Sequence, residues 1–248
     1  MRNIKLQIEY DGTDFFGWQI QPEYRTVQGE IEKALLAVIQ EPVRLTAAGR
    51  TDTGVHAKGQ IANFFTQNSL ACERIKAGTN ANLPFDIRIM AAEQVSDDFD
   101  ARFSARSRAY TFTIYKKPHA IARQYGWYVS VPLDVTAMNN ACKVILGEHD
   151  FQAFCQTNAV VDHYLCNVVH AEWKDSETSL TLSIKANRFL HNMVRILVGT
   201  FCEIGRGKME WSQLNNILES RDRTQAGPTV PPHGLVLQSV DYSGPRLY

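Results

Sequence analysis

An arginine and an aspartate two positions apart, Arg50 and Asp52, stand inside the run Ala48-Gly49-Arg50-Thr51-Asp52-Thr53-Gly54-Val55-His56-Ala57-Lys58. Glycines on both sides permit a tight backbone path, and apolar runs that read as strands flank the segment. A carboxylate held beside a guanidinium stays ionised, because the positive charge favours its charged form. An ionised carboxylate is what nucleophilic or general-base chemistry requires. An isolated Arg-x-Asp more often marks a structural ion pair, so the weight rests on the whole segment. Two other places carry candidate chemistry. Tyr110 alternates with Phe112 and Ile114 in a strand pattern, where a ring facing a cleft could stack on an extruded base or simply pack in the core. Arg195 lies one turn past Asn192 in a long apolar stretch, and a lone guanidinium on a core-facing side calls for a carboxylate partner.

The elements that must position these residues follow from periodicity. Ile4, Leu6, Ile8 and Tyr10 alternate as in a half-buried strand, and Val27, Ile31, Leu35 and Val38 recur at helical spacing with Thr26 as cap. Strands are expected over 43–47, 61–65 and 87–95, with a helix over 70–77. The second half repeats the order: a strand through 110–114, a helix from Asp134 to Leu146 stopped by Gly147, strands over 168–173 and 180–186 with a turn near Ser176, a helix over 189–204, a short helix over 212–218 and a last strand over 235–242. Both halves spell β-α-β-β-α-β, the ferredoxin-like order. The expected fold is therefore α+β: two such units joined into one wide, mostly antiparallel sheet, with helices on one face and a central cleft. The boundary is placed where Asp97-Asp98-Phe99-Asp100 breaks the pattern, giving subdomains 1–103 and 104–248.

Composition narrows the class. The chain has 248 residues, 44% hydrophobic, with no apolar run of the length a membrane span needs, and its first residues enter a strand pattern without a signal-like segment. Five cysteines, an odd number with no Cys-x-x-Cys pair, argue against a disulfide framework and fit a reducing cytoplasm. Cys155, His163, Cys166 and His170 lie within sixteen residues, but their spacing matches no standard zinc pattern. Twenty-six basic and twenty-six acidic residues give a formal net charge of zero, which taken alone disfavours a nucleic-acid partner. The distribution differs: Arg102, Arg106, Arg108, Lys116, Lys117 and Arg123 follow one another without an intervening acid. Such a run either lines a basic cleft or guards a strand edge.

The segment 49–57 is similar, without a break, to the pattern Gly-Arg-Thr-Asp-x-Gly-Val-His-Ala of the tRNA pseudouridine synthase A family. Further stretches resemble the same family in the same order: Tyr10-Asp11-Gly12-Thr13-Asp14-Phe15-Phe16-Gly17-Trp18-Gln19, with aromatics expected at the surface; Phe99-Asp100-Ala101-Arg102-Phe103-Ser104-Ala105, followed by 106–110; Ala186-Asn187-Arg188-Phe189-Leu190-His191-Asn192-Met193-Val194-Arg195; and residues 224–235, whose prolines would stiffen one wall of a cleft. The resemblance implies an isomerase without cofactor or metal that converts uridine to pseudouridine at positions 38, 39 and 40 of the tRNA anticodon stem-loop, working as a cytoplasmic homodimer with no membrane partner. It implies Asp52 as the nucleophile, Arg195 as its charged partner, Tyr110 against the uracil and Arg50 in the space the base vacates. Lys58, Arg102, Arg106 and Arg108 would hold the RNA backbone together with Arg50. Two rivals remain on the residues alone. One is a non-catalytic RNA-binding protein. The other is a glycosidase, which normally needs two cooperating carboxylates, where this segment offers one.

Overall fold

The computed structural model describes residues 1–157 and 162–243. The chain forms two compact units, Met1–Arg106 with Val236–Ser243, and Ser107–Leu235. Both mix helices with mostly antiparallel strands.

The first unit runs β1 (Arg2–Tyr10), α1 (Val27–Ile39), β2 (Thr46–Ala47), β3 (His56–Thr66), α2 (Cys72–Asn82) and β4 (Ile87–Val95). β1 lies between β4 and β3, antiparallel to both, and β2 pairs with β3. This is the split β-α-β-β-α-β arrangement expected from the order of elements. Ile4, Leu6, Ile8 and Tyr10 bury one face of β1, and α1 buries Val27, Ile31, Leu35 and Ile39 along one stripe. Thr26 caps α1: its hydroxyl accepts from the Gly29 N–H, one of the donors a helix start leaves unpaired. α2 begins two residues later than expected and runs on to Asn82, where Leu83 turns extended ahead of Pro84, as a residue before proline prefers.

The second unit contains β5 (Ser107–Tyr115), β6 (Trp127–Tyr128), α3 (Val135–Val144), β7 (Gly147–Asp150), β8 (Leu165–Asp175), β9 (Ser179–Ala186), α4 (Met193–Gly205) and α5 (Leu214–Ser220). β9 pairs antiparallel with both β5 and β8, β7 extends β8, and β6 lies parallel to β5. Asp134 caps α3 through the Ala137 N–H. Nearly every residue of α4 is buried, as an apolar helix without a polar face must be.

Three features differ from the sequence reading. The last strand, β10 (Leu235–Asp241), pairs parallel with β3, and 236–243 belongs to the first unit rather than to the C-terminal part of the chain. The reason is apolar: Val240 and Tyr242 pack on Ala48, Ile61 and Ala101, all in that unit. α4 begins at Met193 and not at Phe189, because Asn192 adopts left-handed backbone angles (φ 62°) that no helix continues through. β6 and β7 are strands the alternation did not reveal, being two and four residues long. Among the described residues no helix is long and apolar enough to cross a membrane.

α4 meets the 226–230 segment backbone to backbone. A Cβ on Gly199 would lie 1.8 Å from the Pro228 carbonyl oxygen, a distance no neighbour can accommodate without moving main chain. The Thr200 hydroxyl accepts from the Gly227 N–H at 2.9 Å. Gly199→Ala is therefore expected to destabilise the protein by about 1–3 kcal/mol or more, read as a lower urea midpoint. Unchanged stability would show that the segment does not rest on the helix.

Candidate functional site

The run that opened the sequence reading forms a loop between β2 and β3, and the segment after β1 holds it from behind. Ala48 N–H donates to Ile61 O at 2.8 Å, and the Gln60 side chain donates to Gly49 O at 2.8 Å. Trp18 N–H donates to Thr51 O at 3.0 Å, and Gly54 N–H donates to Phe15 O at 3.3 Å. Residues 52–55 close a turn, with Val55 N–H donating to Asp52 O at 3.1 Å. Gly54, the third residue of that turn, has φ 77°, a conformation that favours glycine. Gly12 has no room for a side chain either: a Cβ there would lie 2.0 Å from Val55 O. The loop is thus pinned through its main chain on both sides of Asp52.

Two side-chain contacts complete the hold. The Tyr10 hydroxyl meets the Thr51 hydroxyl at 2.7 Å, both buried. Burial pushes the Tyr10 phenol up to about 12 against the opposing hydrogen bonds of Thr51 and Gln60, so the contact stays protonated through the neutral range. Buried His56, at the loop's far end, accepts from Gly12 N–H through Nδ1 at 3.0 Å, and the Asp11 carboxylate stands 3.0 Å from the same nitrogen. One ring nitrogen cannot accept from the amide and donate to the carboxylate at once. With Gly12 as donor, Asp11 turns to Thr13, accepting from both its N–H and its hydroxyl. Asp52 is half-buried, whereas Arg50 and Lys58 are exposed.

Of the aromatics after β1, expected at the surface, Phe15 and Trp18 are core, and Tyr10 is buried as the alternation of β1 implies. Tyr10, Phe15 and Trp18 are at most 3% exposed, and only Phe16 is open, at 46%. They form the floor beneath the loop. Arg25 covers Phe15 at 4.1 Å from its ring centre and is fixed by a two-point bond to Asp86.

The first unit also holds Arg102 and Arg106. Arg102 is exposed, above the Phe103 ring. Arg106 is half-buried, its N–H donating to Asp241 O, and its buried Nε has no partner among the described residues.

The second unit holds Tyr110, Arg108 and Arg195, and the stretch 187–192 touches all three. Asn187 O accepts from Arg108 at 2.7 Å. Phe189 meets the Tyr110 ring edge-on at 5.2 Å and 88°. Asn192 Oδ1 accepts from Arg195 Nη1 at 2.8 Å, while Arg195 Nε donates to Val230 O at 2.8 Å. The start of α4 at Met193 is what frees Phe189 for this contact. Tyr110 is half-buried, whereas Phe112 and Ile114 on the same face of β5 are fully buried: the apolar row ends at Tyr110. The rest of the basic run divides by role. Lys116 is bonded to Asp175 and to Ser176 O, and Arg123 to Ala120 O. Those two answer to local structure.

Sequence reasoning missed the bracing residues: Tyr10 as partner of Thr51, His56 as partner of Gly12, and Val230 O as partner of Arg195. Among the described residues no group of three or more His, Cys, Asp or Glu is placed to hold a metal ion. The Cys142, Cys166 and Cys202 thiols are each pushed up to about 12 by burial, which keeps them unreactive as nucleophiles.

A family profile described as tRNA pseudouridine synthase matches residues 7–104 and 141–243. The chain is 43% identical over 244 residues to the tRNA pseudouridine synthase A of Caldicellulosiruptor bescii, covering 98% of this chain and 100% of that one. It is 45% identical over 240 residues to the protein of the same name from Halalkalibacterium halodurans, covering 95% and 91%. It is 41% identical over 244 residues to tRNA pseudouridine synthase A 2 of Clostridium perfringens, covering 98% and 100%.

The Tyr10–Thr51 contact generates a test. Tyr10→Phe leaves a buried hydroxyl without its partner and is expected to cost about 1–3 kcal/mol. The sign with pH also follows. The folded phenol titrates near 12 and the unfolded one near 10, so this burial stabilises fully below pH 10 and the contribution is lost as pH rises to 12. Alkaline urea titrations should show Tyr10→Phe losing less stability than wild type across that window; equal losses would mean the phenol is not buried as described.

Proposed function

The chain belongs to the tRNA pseudouridine synthase family, and on that footing we propose that it isomerises uridines 38, 39 and 40 of the tRNA anticodon stem-loop, with Asp52 as the nucleophile. The supporting observation is the pinned loop: Asp52 is half-buried on a turn whose main chain is fixed on both sides, the preorganisation that a reacting carboxylate needs.

In the reaction the N1–C1′ bond breaks, its electron pair leaving with the uracil. The base turns, C5 joins C1′, the proton on C5 goes to solvent and N1 takes one up, so the product is an isomer of the substrate. Nothing is oxidised and no group is added, so the chemistry calls for no cofactor. The target base is first extruded, at a cost of a few kcal/mol. Arg50, exposed two positions before Asp52, takes the vacated space and a backbone phosphate. Asp52 then either attacks C1′ as N1 leaves, the ester being displaced by C5 in turn, or removes the 2′ proton to give a glycal, the proton returning to C2′ as C5 adds to C1′. A primary isotope effect with 2′-deuterated uridine selects the second route. Arg195, the charged partner that the family resemblance implies for Asp52, has its own plane held by Asn192 and Val230 O. Tyr110, steadied by Phe189, retains the free uracil while it rotates. Exclusion of water prevents hydrolysis at C1′. Lys58, Arg102, Arg106 and Arg108 bind the RNA backbone. Two copies acting on one tRNA in the cytoplasm complete the reading, since a dimer builds one basic groove from chains of zero net charge.

Tritium release from tRNA labelled at uridine C5 tests the assignment. Asp52→Asn is expected to lower release on the order of 10³-fold or more with tRNA binding kept. Arg195→Lys retains the charge but not the fork that reaches two acceptors, and should give an intermediate loss. An Asp52→Asn variant working at wild-type speed removes the nucleophile assignment, and free uracil among the products favours hydrolysis instead. Mapping pseudouridine in tRNA from cells lacking the protein, restored with wild type or with Asp52→Asn, checks positions 38–40.

A further inference from the structure

A second RNA-facing device stands on the first unit, outside the signature loop. Residues 96–105 fold over the polar face of β1 and β3. Two buried asparagines hold them there: Asn3 Nδ2 donates to Ser96 O and Phe99 O at 3.0 and 2.8 Å, and Asn63 Oδ1 accepts from Ala101 N–H at 2.9 Å. Ala101 is fully buried against Ala48, the first residue of the signature loop, and its carbonyl accepts from the Tyr242 hydroxyl at 2.8 Å. Phe99 packs on Tyr242 with ring centres 5.0 Å apart. On this base Asp100 and Ser104 build a tight turn. Asp100 Oδ1 accepts from the N–H groups of Arg102 and Phe103, both at 2.8 Å, and Ser104 N–H returns to Asp100 O at 2.9 Å.

The turn presents Phe103. Its ring is 70% exposed, with the Arg102 guanidinium 5.2 Å from its centre. Phe99, four residues earlier, is packed away, so the exposure is not a general property of the segment. A large apolar ring held in water on a rigid support gains nothing for folding. It gains on contact with a flat partner, because the loss of side-chain freedom on binding is already small. The neighbouring charge selects the partner. Asp100, the nearest acid in sequence, is occupied by two amides, the Arg102 guanidinium lies over the ring, and no acid follows before residue 123. An unpaired nucleotide offers a base to the ring and a phosphate to the guanidinium.

We infer that Phe103 is a base-stacking residue for an unpaired nucleotide of the tRNA substrate, with Arg102 on its phosphate, and that Asp100, Asn3 and Asn63 preorganise the pair. This rests on the proposed use of tRNA and adds a contact in the same unit as Asp52, tied to the signature loop through Ala48 and Ala101.

The experiment measures binding apart from conversion. Full-length protein with Phe103→Ala, Phe103→Leu or Phe103→Trp is titrated with unmodified tRNA and with a fully paired RNA duplex, at several salt concentrations. Phe103→Ala should weaken tRNA binding about tenfold or more, the scale of one base–aromatic stack, and leave duplex binding unchanged. Phe103→Leu should behave as Ala, since it keeps apolar area but no π face, and Phe103→Trp should bind as well as wild type. Arg102→Ala should lower the salt slope by about one, whereas Phe103→Ala should leave that slope alone. Urea midpoints should not move, because the ring is outside the core. Wild-type affinity in Phe103→Ala, full affinity in Phe103→Leu, or an altered oligomeric state in place of altered RNA binding each overturns the inference. Tritium release on the same samples reports the chemistry separately, so failure of the Asp52 assignment and failure of the stack give different results.

Discussion

The structure of the first unit depends on main-chain contact between the segment after β1 and the loop ahead of β3. Gly12 and Val55 approach so closely that a methyl group would not fit between them, and amides at Trp18 and Gly54 cross between the two segments. Backbone hydrogen bonds of this kind do not vary with side-chain rotamer, so the main chain at Asp52 is set by the fold. Each bond contributes only about 0.5–1.5 kcal/mol net, but leaving one unmade in a buried place costs more. The loop therefore has few alternative conformations. The floor beneath it is apolar, made of Phe15 and Trp18, which keeps water from competing for those amides.

A similar logic appears in the second unit with different parts. Arg195 is not left for a single partner to orient. Its Nε meets a carbonyl on 226–230 and its Nη1 an amide oxygen at the helix start. The carbonyl is where it is because Gly199 and Thr200 seat that segment on α4. A guanidinium held at two atoms retains direction as well as charge.

The sequence reading was best where chemistry and periodicity coincide. The signature run, the alternation of β1 and the Thr26 and Asp134 caps were legible because each is a local pattern with a local cause. What was not legible is non-local. Asn3 and Asn63 look like solvent-facing members of alternating strands, and they are buried because 96–105 folds over them. Phe15 and Trp18 read as exposed because they follow a strand in a glycine-rich stretch; the loop they support turns them inward. Phe189 fits the apolar spacing of α4 and still lies outside it, because the left-handed Asn192 leaves no trace in periodicity. The last strand joins the first unit because Val240 and Tyr242 find their apolar neighbours there, a partnership that order along the chain does not encode.

Net charge is the remaining point on which sequence and function pull apart, and geometry reconciles them. A formal charge of zero is a sum over the surface, whereas an RNA phosphate feels charges within about one Debye length, roughly 8 Å. What counts is which acids are left to oppose the arginines. Asp86 is bound to Arg25 at two points, Asp100 is occupied by two amides, and Asp175 is tied to Lys116. Arg50, Lys58 and Arg102 are exposed. A chain of zero net charge can therefore still place exposed cations before a nucleic acid.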